Sequence, residues 1–353
     1  MKTHIRIRSL AAHSIAALLA FAAGGGALGQ SGGGALGRAG PAPVPPEALA
    51  GWEDDDLAGL DAAIDGQCRL ARPPARWQAL CGQWRAAPHG TKRWIAERFE
   101  ARPLANGAGA NSGLVTGYYE PVIDGSRQRA SPRQVALYRR PSESLLRAKP
   151  TRAAIENSDL LAGSELLWVD DPIEAFFLHV QGSGRVRLPD GATVRVGYAA
   201  NNGHPYRAIG RVLIERGALD AQQADTAGIK RWLRENPAQA REVMQANARF
   251  IFFRELPGAE ASGPPGSLGV ALTPLRSVAA DPSRIAPGSL LFLDTEHPLD
   301  GSPIRRVVIA QDTGGAITGP VRIDLFWGRG DAAGEAAGRM RARGRVWLLE
   351  PRD

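Results

Sequence analysis

The C-terminal quarter of this 353-residue chain consists of short apolar runs that glycine and proline interrupt at close intervals. We expect strands at 270–272, 290–294, 306–312, 321–325 and 345–349, and a helix over 331–341 that ends before Gly344. Runs this short and this often interrupted are not typical of a parallel sheet. The pattern therefore predicts a mainly β domain built as a small closed barrel.

The first 29 residues have the three parts of a secretory signal peptide. A basic start is followed by an apolar run over 10–21 and by small residues over 22–29, and the run is too short and too rich in glycine for a membrane span. Residues 30–50, rich in glycine, alanine and proline, are predicted to form a flexible tether. Because no cysteine lies near the cleavage region, we expect a periplasmic protein without a lipid anchor, peripheral to the outer membrane at most.

The net charge of the chain narrows the choice of partners. The formal charge of +7 includes three basic residues of the predicted signal, so the mature chain carries +4, nearly all of it from arginine. Either a genome that favours arginine codons or attraction to an acidic polymer such as the cell wall accounts for this excess. The basic residues form no stripe interleaved with aromatics, which argues against nucleic acid as a partner.

Cys68 and Cys81 are the only cysteines, and an isolated pair in an exported protein is a candidate disulfide. Residues 52–99 have helical spacing interrupted by Pro73 and Pro74, so the pair would join two early helices. The histidines are scattered, and two thiols without nearby histidines do not make a metal site. We therefore predict no metal and no cofactor.

The middle of the chain has the pattern of a β-rich insertion. Its clearest hairpin joins 185–188 to 193–197 through a Pro-Asp-Gly turn, with valine and leucine on one face and three arginines on the other. We expect Arg185, Arg187 and Arg195 to be solvated. The predicted parts of the chain are 51–121 for the first part of the barrel domain, 122–255 for the inserted domain and 256–353 for the second part of the barrel domain.

The segment 307–330 is richest in candidate catalytic groups, because it carries Asp312 and Asp324 at predicted strand ends on either side of a glycine-rich turn. Apolar residues surround Asp324 in the sequence, and both an apolar setting and a nearby carboxylate favour the protonated acid. A carboxylic acid that stays protonated near neutral pH can donate a proton to a leaving oxygen. Asp324 is therefore our candidate catalytic acid; the alternative is a structural aspartate that caps the turn before Gly328.

The same segment resembles the C-terminal three-aspartate (3D) domain of the membrane-bound lytic murein transglycosylase A family, whose aspartates correspond to Asp294, Asp312 and Asp324. Other blocks resemble this family in the same order along the chain: Thr116-Gly-Tyr-Tyr-Glu-Pro121, His179-Val-Gln-Gly-Ser-Gly184, Gly197-Tyr-Ala-Ala-Asn-Asn-Gly-His-Pro-Tyr-Arg207 and Asn247-Ala-Arg-Phe-Ile-Phe-Phe253. The prototype of the family is bound to the membrane by a lipid, from which this chain departs.

The resemblance implies a double-psi β-barrel that carries a smaller inserted β domain, with the substrate groove between the two. It implies a lyase of class EC 4.2.2.- that cleaves the β-1,4 bond between N-acetylmuramic acid and N-acetylglucosamine and leaves a 1,6-anhydro ring. It further implies that Asp324 acts first as acid and then as base. One carboxyl group suffices if the sugar's own C6 hydroxyl attacks C1, whereas ordinary glycosidases need two. Asp312 would then orient or tune Asp324.

The remaining motifs supply candidate contacts to peptidoglycan glycan strands. Tyr118 and Tyr119 can stack on sugar faces, and Thr116 can form a hydrogen bond near the acid; the alternative is two core tyrosines. Polar side chains at glycine-rich positions, where a glycan can approach the backbone closely, complete the predicted set: Gln181, Ser183, Asn201, Asn202 and His204. For the last three, a structured turn is the alternative.

Three other functions stay open. A polysaccharide hydrolase could use Asp312 as its base, and a wall-binding protein would need no catalysis. The Asp312-Thr-Gly sequence also resembles the loop of aspartic proteases, but those enzymes need two such aspartates sharing a proton and this chain has one. We expect a monomer whose other partners, if any, are cell-wall enzymes.

Overall fold

The structure is a computed structural model that describes residues 42–86, 92–257 and 263–352. The predicted signal peptide and the first part of the predicted tether lie outside the described residues. The strands are β1 (Phe99–Pro103), β2 (Gly113–Glu120), β3 (Val122–Ser126), β4 (Val135–Tyr138), β5 (Glu165–Val169), β6 (Ser183–Arg187), β7 (Thr193–Asn201), β8 (Ile251–Glu255), β9 (Ser277–Ala280), β10 (Leu290–Glu296), β11 (Pro303–Asp312), β12 (Arg322–Arg329) and β13 (Arg341–Pro351). The helices are α1 (Leu60–Cys68), α2 (Ala75–Ala86), α3 (Lys92–Arg98), α4 (Glu143–Ala148), α5 (Arg152–Glu156), α6 (Pro172–Gln181), α7 (Ile209–Glu215), α8 (Thr226–Glu235), α9 (Pro237–Gln245) and α10 (Gly330–Arg339).

Six strands close into a barrel. The order is β13-β10-β11-β9-β12-β2, and β2 pairs back onto β13, so that the sheet has no free edge between them; β1 is added outside β13. Alternate residues of these strands, among them Val115, Val278 and Ile323, point into a shared apolar core. The predicted mainly β fold with a closed barrel is confirmed.

The segment between β2 and β9 forms a second six-stranded sheet in the order β4-β5-β3-β6-β7-β8. A bridge between Arg139 and Phe253 joins its two outer strands, which makes this sheet barrel-like as well. Its core is apolar and includes Leu137, Leu167 and Val196. The inserted smaller β domain of the predicted fold is therefore present.

The N-terminal helices cover one outer face of the barrel. Trp52, Trp77 and Trp84 are almost fully buried in a cluster that also contains Phe292 of β10. Cys68 at the end of α1 and Cys81 in α2 form a disulfide, as the sequence predicted. A buried Arg276 fixes the same segment through its ion pair with Asp55. These contacts hold the helices on the barrel.

The structure differs from the sequence-based expectation at both ends of the C-terminal region. The predicted strand at 270–272 is reduced to one bridge at Ala271. The barrel strand in this part of the chain is β9, which was not predicted because its small residues have a low β propensity. The last helix ends at Arg339, and β13 begins at Arg341. A strand this long is needed to pair with β1, β2 and β10 together.

The prediction that the hairpin arginines are solvated is wrong for two of the three. Arg185 is buried and forms a 2.8 Å ion pair with Glu120, the last residue of β2. Arg195 is buried and donates to the backbone oxygens of Pro257 and Gly263. Only Arg187 is exposed, where it pairs with Asp124. The hairpin is therefore packed on both faces, because it lies next to the chain crossings that join the two sheets.

Within the described ranges, no helix is long and apolar enough to cross a membrane.

Candidate active site

The register of the barrel brings the candidate catalytic residues together. Asp324 in β12 lies opposite Thr116 in the parallel neighbour β2 and opposite Ala279 in the antiparallel neighbour β9. Ala279 also lies opposite Asp312, the last residue of β11, where a bulge shifts the register. Directly opposed residues point to the same side of a sheet. These side chains therefore share the face opposite to the one that fills the barrel core, and the small Ala279 leaves space between the two aspartates.

Asp324 is held by one strong contact. The hydroxyl of Thr116 donates to its Oδ1 at 2.5 Å. No described residue forms a hydrogen bond with Oδ2, and the side chain is only partly shielded from water. One carboxyl oxygen is thus anchored, and the other is free to face a ligand.

The environment of Asp324 favours the protonated acid. Burial is the largest cause and raises its pKa from 3.8 to about 6, while the hydroxyl of Thr116 and the charge of Arg322 act in the opposite direction. The charge of Asp312 raises the pKa further, as the smallest cause. The pKa of Asp324 is raised, as its apolar setting predicts, but Ile323 and Leu325 contribute less directly than expected, because their side chains point into the barrel core.

Asp312 is held far more tightly than Asp324. Its Oδ1 accepts hydrogen bonds from the backbone N–H groups of Ser267 and Thr313, at 2.9 and 2.8 Å. Its Oδ2 accepts from the hydroxyl of Tyr118 at 3.1 Å. Burial raises the pKa of Asp312, and these three donors work against that rise. Three of its roughly four acceptor sites are therefore already taken.

Tyr118 links the carboxylates to an aromatic surface. Its ring lies 5.2 Å from that of Phe326, which is its register partner on β12. Burial and the charges of both aspartates raise its pKa well above the ordinary value, so the phenol stays a hydrogen-bond donor. Tyr118 thus presents a ring beside the acid while it orients Asp312.

Tyr119 and Asn202 do not lie on a surface that a glycan could reach. Successive strand residues face opposite sides, so Tyr119 turns away from Tyr118 and packs against Gly334 of α10. Asn202 is fully buried; its amide donates to the backbone oxygens of Pro150 and Ala248 and accepts from the N–H of Phe250. Both residues hold the fold together, which corrects their predicted role in binding.

The other predicted contacts lie in the inserted region, on or beside its sheet. Gln181 ends α6 and accepts a hydrogen bond from the N–H of Tyr119, so it joins the inserted sheet to the strand that carries Thr116. Ser183 begins β6, and no described residue bonds its side chain. Asn201 bonds the hydroxyl of Tyr198 and the N–H of Gly203, and His204 bonds the backbone oxygen of Lys149. These last two are partly exposed at the end of β7.

Asp294, the first of the three aspartates in the resemblance, has a structural position. Its carboxylate pairs with Arg305 on β11 and with Arg345 on β13, which are its register partners on either side. It therefore ties three barrel strands together rather than joining the carboxylates of the site.

Several contributors to the site were not among the predicted residues. Ser267 and Thr313 each donate a backbone N–H to Asp312, which no side-chain pattern could have indicated. Phe326 and Arg322 lie two residues on either side of Asp324, and period-two alternation along a strand could have placed both on its face.

In the described part of the chain, no three histidine, cysteine, aspartate or glutamate side chains are grouped so as to hold a metal ion.

Comparisons with known proteins match both sheets of the fold. Two family models match the chain: the MltA specific insert domain over residues 114–254 and the 3D domain over residues 276–350. The membrane-bound lytic murein transglycosylase A of Escherichia coli K12 is 35% identical over 243 residues. That match covers 67% of this chain and 65% of the relative, so the chain spans slightly less than two thirds of the relative's length.

Solved structures extend the likeness over most of the chain. The lytic transglycosylase LtgG of Burkholderia pseudomallei is 49% identical, with a TM-score of 0.64; the match covers 88% of this chain and 95% of that one. The E. coli MltA with bound chitohexaose is 29% identical, with a TM-score of 0.72 and coverage of 90% and 94%.

Proposed function

This chain belongs to the lytic murein transglycosylase A family, and we propose that it cleaves the β-1,4 bond between N-acetylmuramic acid and N-acetylglucosamine in peptidoglycan. The product would carry a 1,6-anhydro ring, which makes the enzyme a lyase of class EC 4.2.2.-. The observation that carries the proposal is the state of Asp324: a carboxyl group with a pKa of about 6, anchored through one oxygen by Thr116 and free at the other.

In the first step Asp324 acts as the general acid. Its proton moves to the glycosidic oxygen while the bond from C1 to that oxygen breaks, and positive charge develops at C1. An acid with a pKa near 6 is largely protonated in mildly acidic solution and still strong enough to donate. The hydroxyl of Thr116 strengthens its bond as the carboxylate forms, since it favours the charged state.

In the second step the same carboxylate acts as the base. It takes the proton from the C6 hydroxyl of the muramic acid, whose oxygen bonds to C1 and closes the anhydro ring. The proton returns to Asp324, so that atoms and charge balance without water. Attack from within the sugar needs no enzymic nucleophile, and its proximity lowers the barrier.

The contacts of Asp312 favour this reaction over hydrolysis. An inverting hydrolase would need a second carboxylate free to activate water. Both oxygens of Asp312 already accept hydrogen bonds, from Ser267, Thr313 and Tyr118. We assign Asp312 the role of holding Tyr118 and of adding a negative charge near Asp324, a small addition to the burial that keeps the acid protonated.

We propose that the glycan lies in the groove between the barrel domain (51–121 and 256–353) and the inserted domain (122–255). Tyr118 would stack on a sugar face, with Gln181, Ser183, Asn201 and His204 as polar contacts from the inserted sheet. The E. coli relative that binds chitohexaose supports a glycan ligand for this fold. The E. coli K12 relative is a membrane-bound enzyme, and we propose that this chain works in the periplasm against the outer membrane.

The test is digestion of purified sacculi with the wild-type protein and with Asp324→Asn. We expect anhydro-muropeptides from the wild type and at least a hundredfold slower release from the variant, the usual scale for loss of a general acid. Asp159→Asn is the matched control, because Asp159 is exposed and its side chain makes no hydrogen bond with any described residue. Undiminished release from Asp324→Asn would refute the assignment. A wall-binding protein without activity would give no release from either.

A further inference from the structure

The inserted sheet carries a cavity away from the two aspartates. It measures about 670 Å³ and opens at the seam where the bridge between Arg139 and Phe253 joins the outer strands β4 and β8. Its lining residues are Arg139, Arg140, Leu166, Tyr198, Ala199, Phe253, Arg254 and Glu255. None of these residues has a role in the proposed cleavage step.

The rim of this cavity has an excess of positive charge. Among the described residues, neither Arg139 nor Arg254 forms an ion pair; Arg139 donates to the backbone oxygen of Glu165 and Arg254 to that of Tyr198. The one carboxylate in the lining, Glu255, pairs with Arg127 outside it. Two guanidinium groups are therefore available to an anion, and guanidinium groups bind carboxylates with well-defined geometry.

The floor of the cavity is apolar. Leu166 and Phe253 are buried there, and Tyr198 stands at the edge with 48% of its surface exposed. A bulge in β7 immediately after Tyr198 shifts its pairing with β8. Bulges re-aim side chains and occur often near functional sites. An apolar floor under a cationic rim suits a ligand that has small aliphatic groups and carboxylates.

The cavity continues the surface proposed for the glycan. The amide of Asn201, one of the proposed glycan contacts, donates to the hydroxyl of Tyr198 at the edge of the cavity, at 2.5 Å. Tyr198 pairs with Phe253, which Arg254 follows and which is bridged to Arg139, so both arginines lie within two strand spacings of Tyr198, about 10 Å. An extended tetrapeptide spans roughly 13 Å. A peptide attached to a sugar beside Asn201 could therefore reach the arginines.

We propose that this cavity binds the peptide stem of peptidoglycan, with Arg139 and Arg254 holding its carboxylates and the apolar floor holding its alanine methyl groups. The inference rests on the proposed function, since the stem is attached to the muramic acid that the enzyme would cleave. The cavity would then select strands that still carry their stems.

The first experiment measures anhydro-end release from strands with stems and from strands whose stems an amidase has removed. For the Arg139→Gln/Arg254→Gln double variant we expect KM for stem-bearing strands to rise about tenfold to a hundredfold, the range for lost charge-assisted hydrogen bonds, with kcat unchanged. On stem-free strands the double variant should match the wild type. Arg133→Gln/Arg231→Gln removes the same charge from exposed positions elsewhere in the inserted region and should match the wild type on both substrates. Equal loss on both substrates, or no loss on either, would overturn the proposal.

The second experiment separates this inference from the proposed function. Binding of the free tetrapeptide stem, L-Ala-D-Glu-diaminopimelate-D-Ala, is titrated against the full protein by calorimetry. We expect saturable binding to the wild type and to Asp324→Asn, and loss of at least tenfold in affinity for the arginine double variant. Absence of binding to the wild type would overturn the stem site even if anhydro products form. Binding without anhydro products would instead count against the proposed function alone.

Discussion

Replacing Asp324 by asparagine should stabilise the protein, although it abolishes the proposed chemistry. The pKa of the carboxyl rises from 3.8 to about 6 in the folded state, a difference of roughly two units at about 1.4 kcal/mol each. Ionising Asp324 in the folded protein therefore costs up to about 3 kcal/mol at neutral pH. Asparagine carries no charge, and its Oδ1 can still accept the hydrogen bond from Thr116.

The sign of this effect fixes its pH dependence. Because the folded state binds the proton more tightly, the wild type loses stability as pH rises from about 4 to about 6, and the loss stays constant above that range. The free energy of unfolding of Asp324→Asn should exceed that of the wild type by up to about 3 kcal/mol at pH 7.5, and the difference should vanish below about pH 4. Partial exposure of the side chain makes 3 kcal/mol the upper end.

Urea unfolding at several pH values, followed by circular dichroism, measures this difference. Asp159→Asn is the control, since it replaces a carboxylate by the same amide at an exposed position. A difference that stays flat from pH 4 to pH 8, or an Asp324→Asn protein that is less stable at pH 7.5, would refute the assigned environment of this carboxyl.

Three further changes test other parts of the structure. Thr116→Val removes a donor that lowers the pKa of Asp324, so the alkaline limb of the pH–rate profile should shift to higher pH. We also expect kcat to fall roughly tenfold, because the acid is positioned less well. An alkaline limb at the wild-type pH would contradict the role of this hydrogen bond. Cys68→Ser/Cys81→Ser removes the disulfide that closes a short loop, and it should lower the free energy of unfolding by about 3 kcal/mol in urea titrations. An unchanged urea midpoint would show that the helices do not need the disulfide. Gly117→Ala places a methyl group within 3 Å of Trp327 and Ala337 and should cost about 1–3 kcal/mol in the same assay, whereas Gly107→Ala, which meets open space, should cost little.

The sequence indicates Asp324 as the candidate acid and Thr116 as a hydrogen-bond donor near it, but not the backbone donors that hold Asp312. Asp324 stands out through its apolar strand and through the family motif around it. Its pairing with Thr116 depends on the parallel register of β2 with β12, two strands more than 200 residues apart. A shift of one residue in that register would have put the threonine on the other face. This register is determined only when the barrel closes.

The predicted binding residues show the same limit. Tyr118 and Tyr119 are adjacent in one strand, so period-two alternation could have shown that only one of them faces the site. Asn202 gave no such signal; its burial depends on three backbone groups from distant segments. Arg185 and Arg195 alternate like a solvated face, but the two chain crossings between the sheets cover them. Burial of this kind arises from the tertiary packing of an inserted domain.

The most direct test of the central claim is digestion of peptidoglycan in water enriched in ¹⁸O, with the masses of the muramic acid ends measured. If the C6 hydroxyl closes the ring with Asp324 as acid and base, the ends carry a 1,6-anhydro ring and no ¹⁸O from the outset. Ends that are reducing and heavier by one ¹⁸O would mean that water attacks C1, and would contradict a single-carboxylate mechanism.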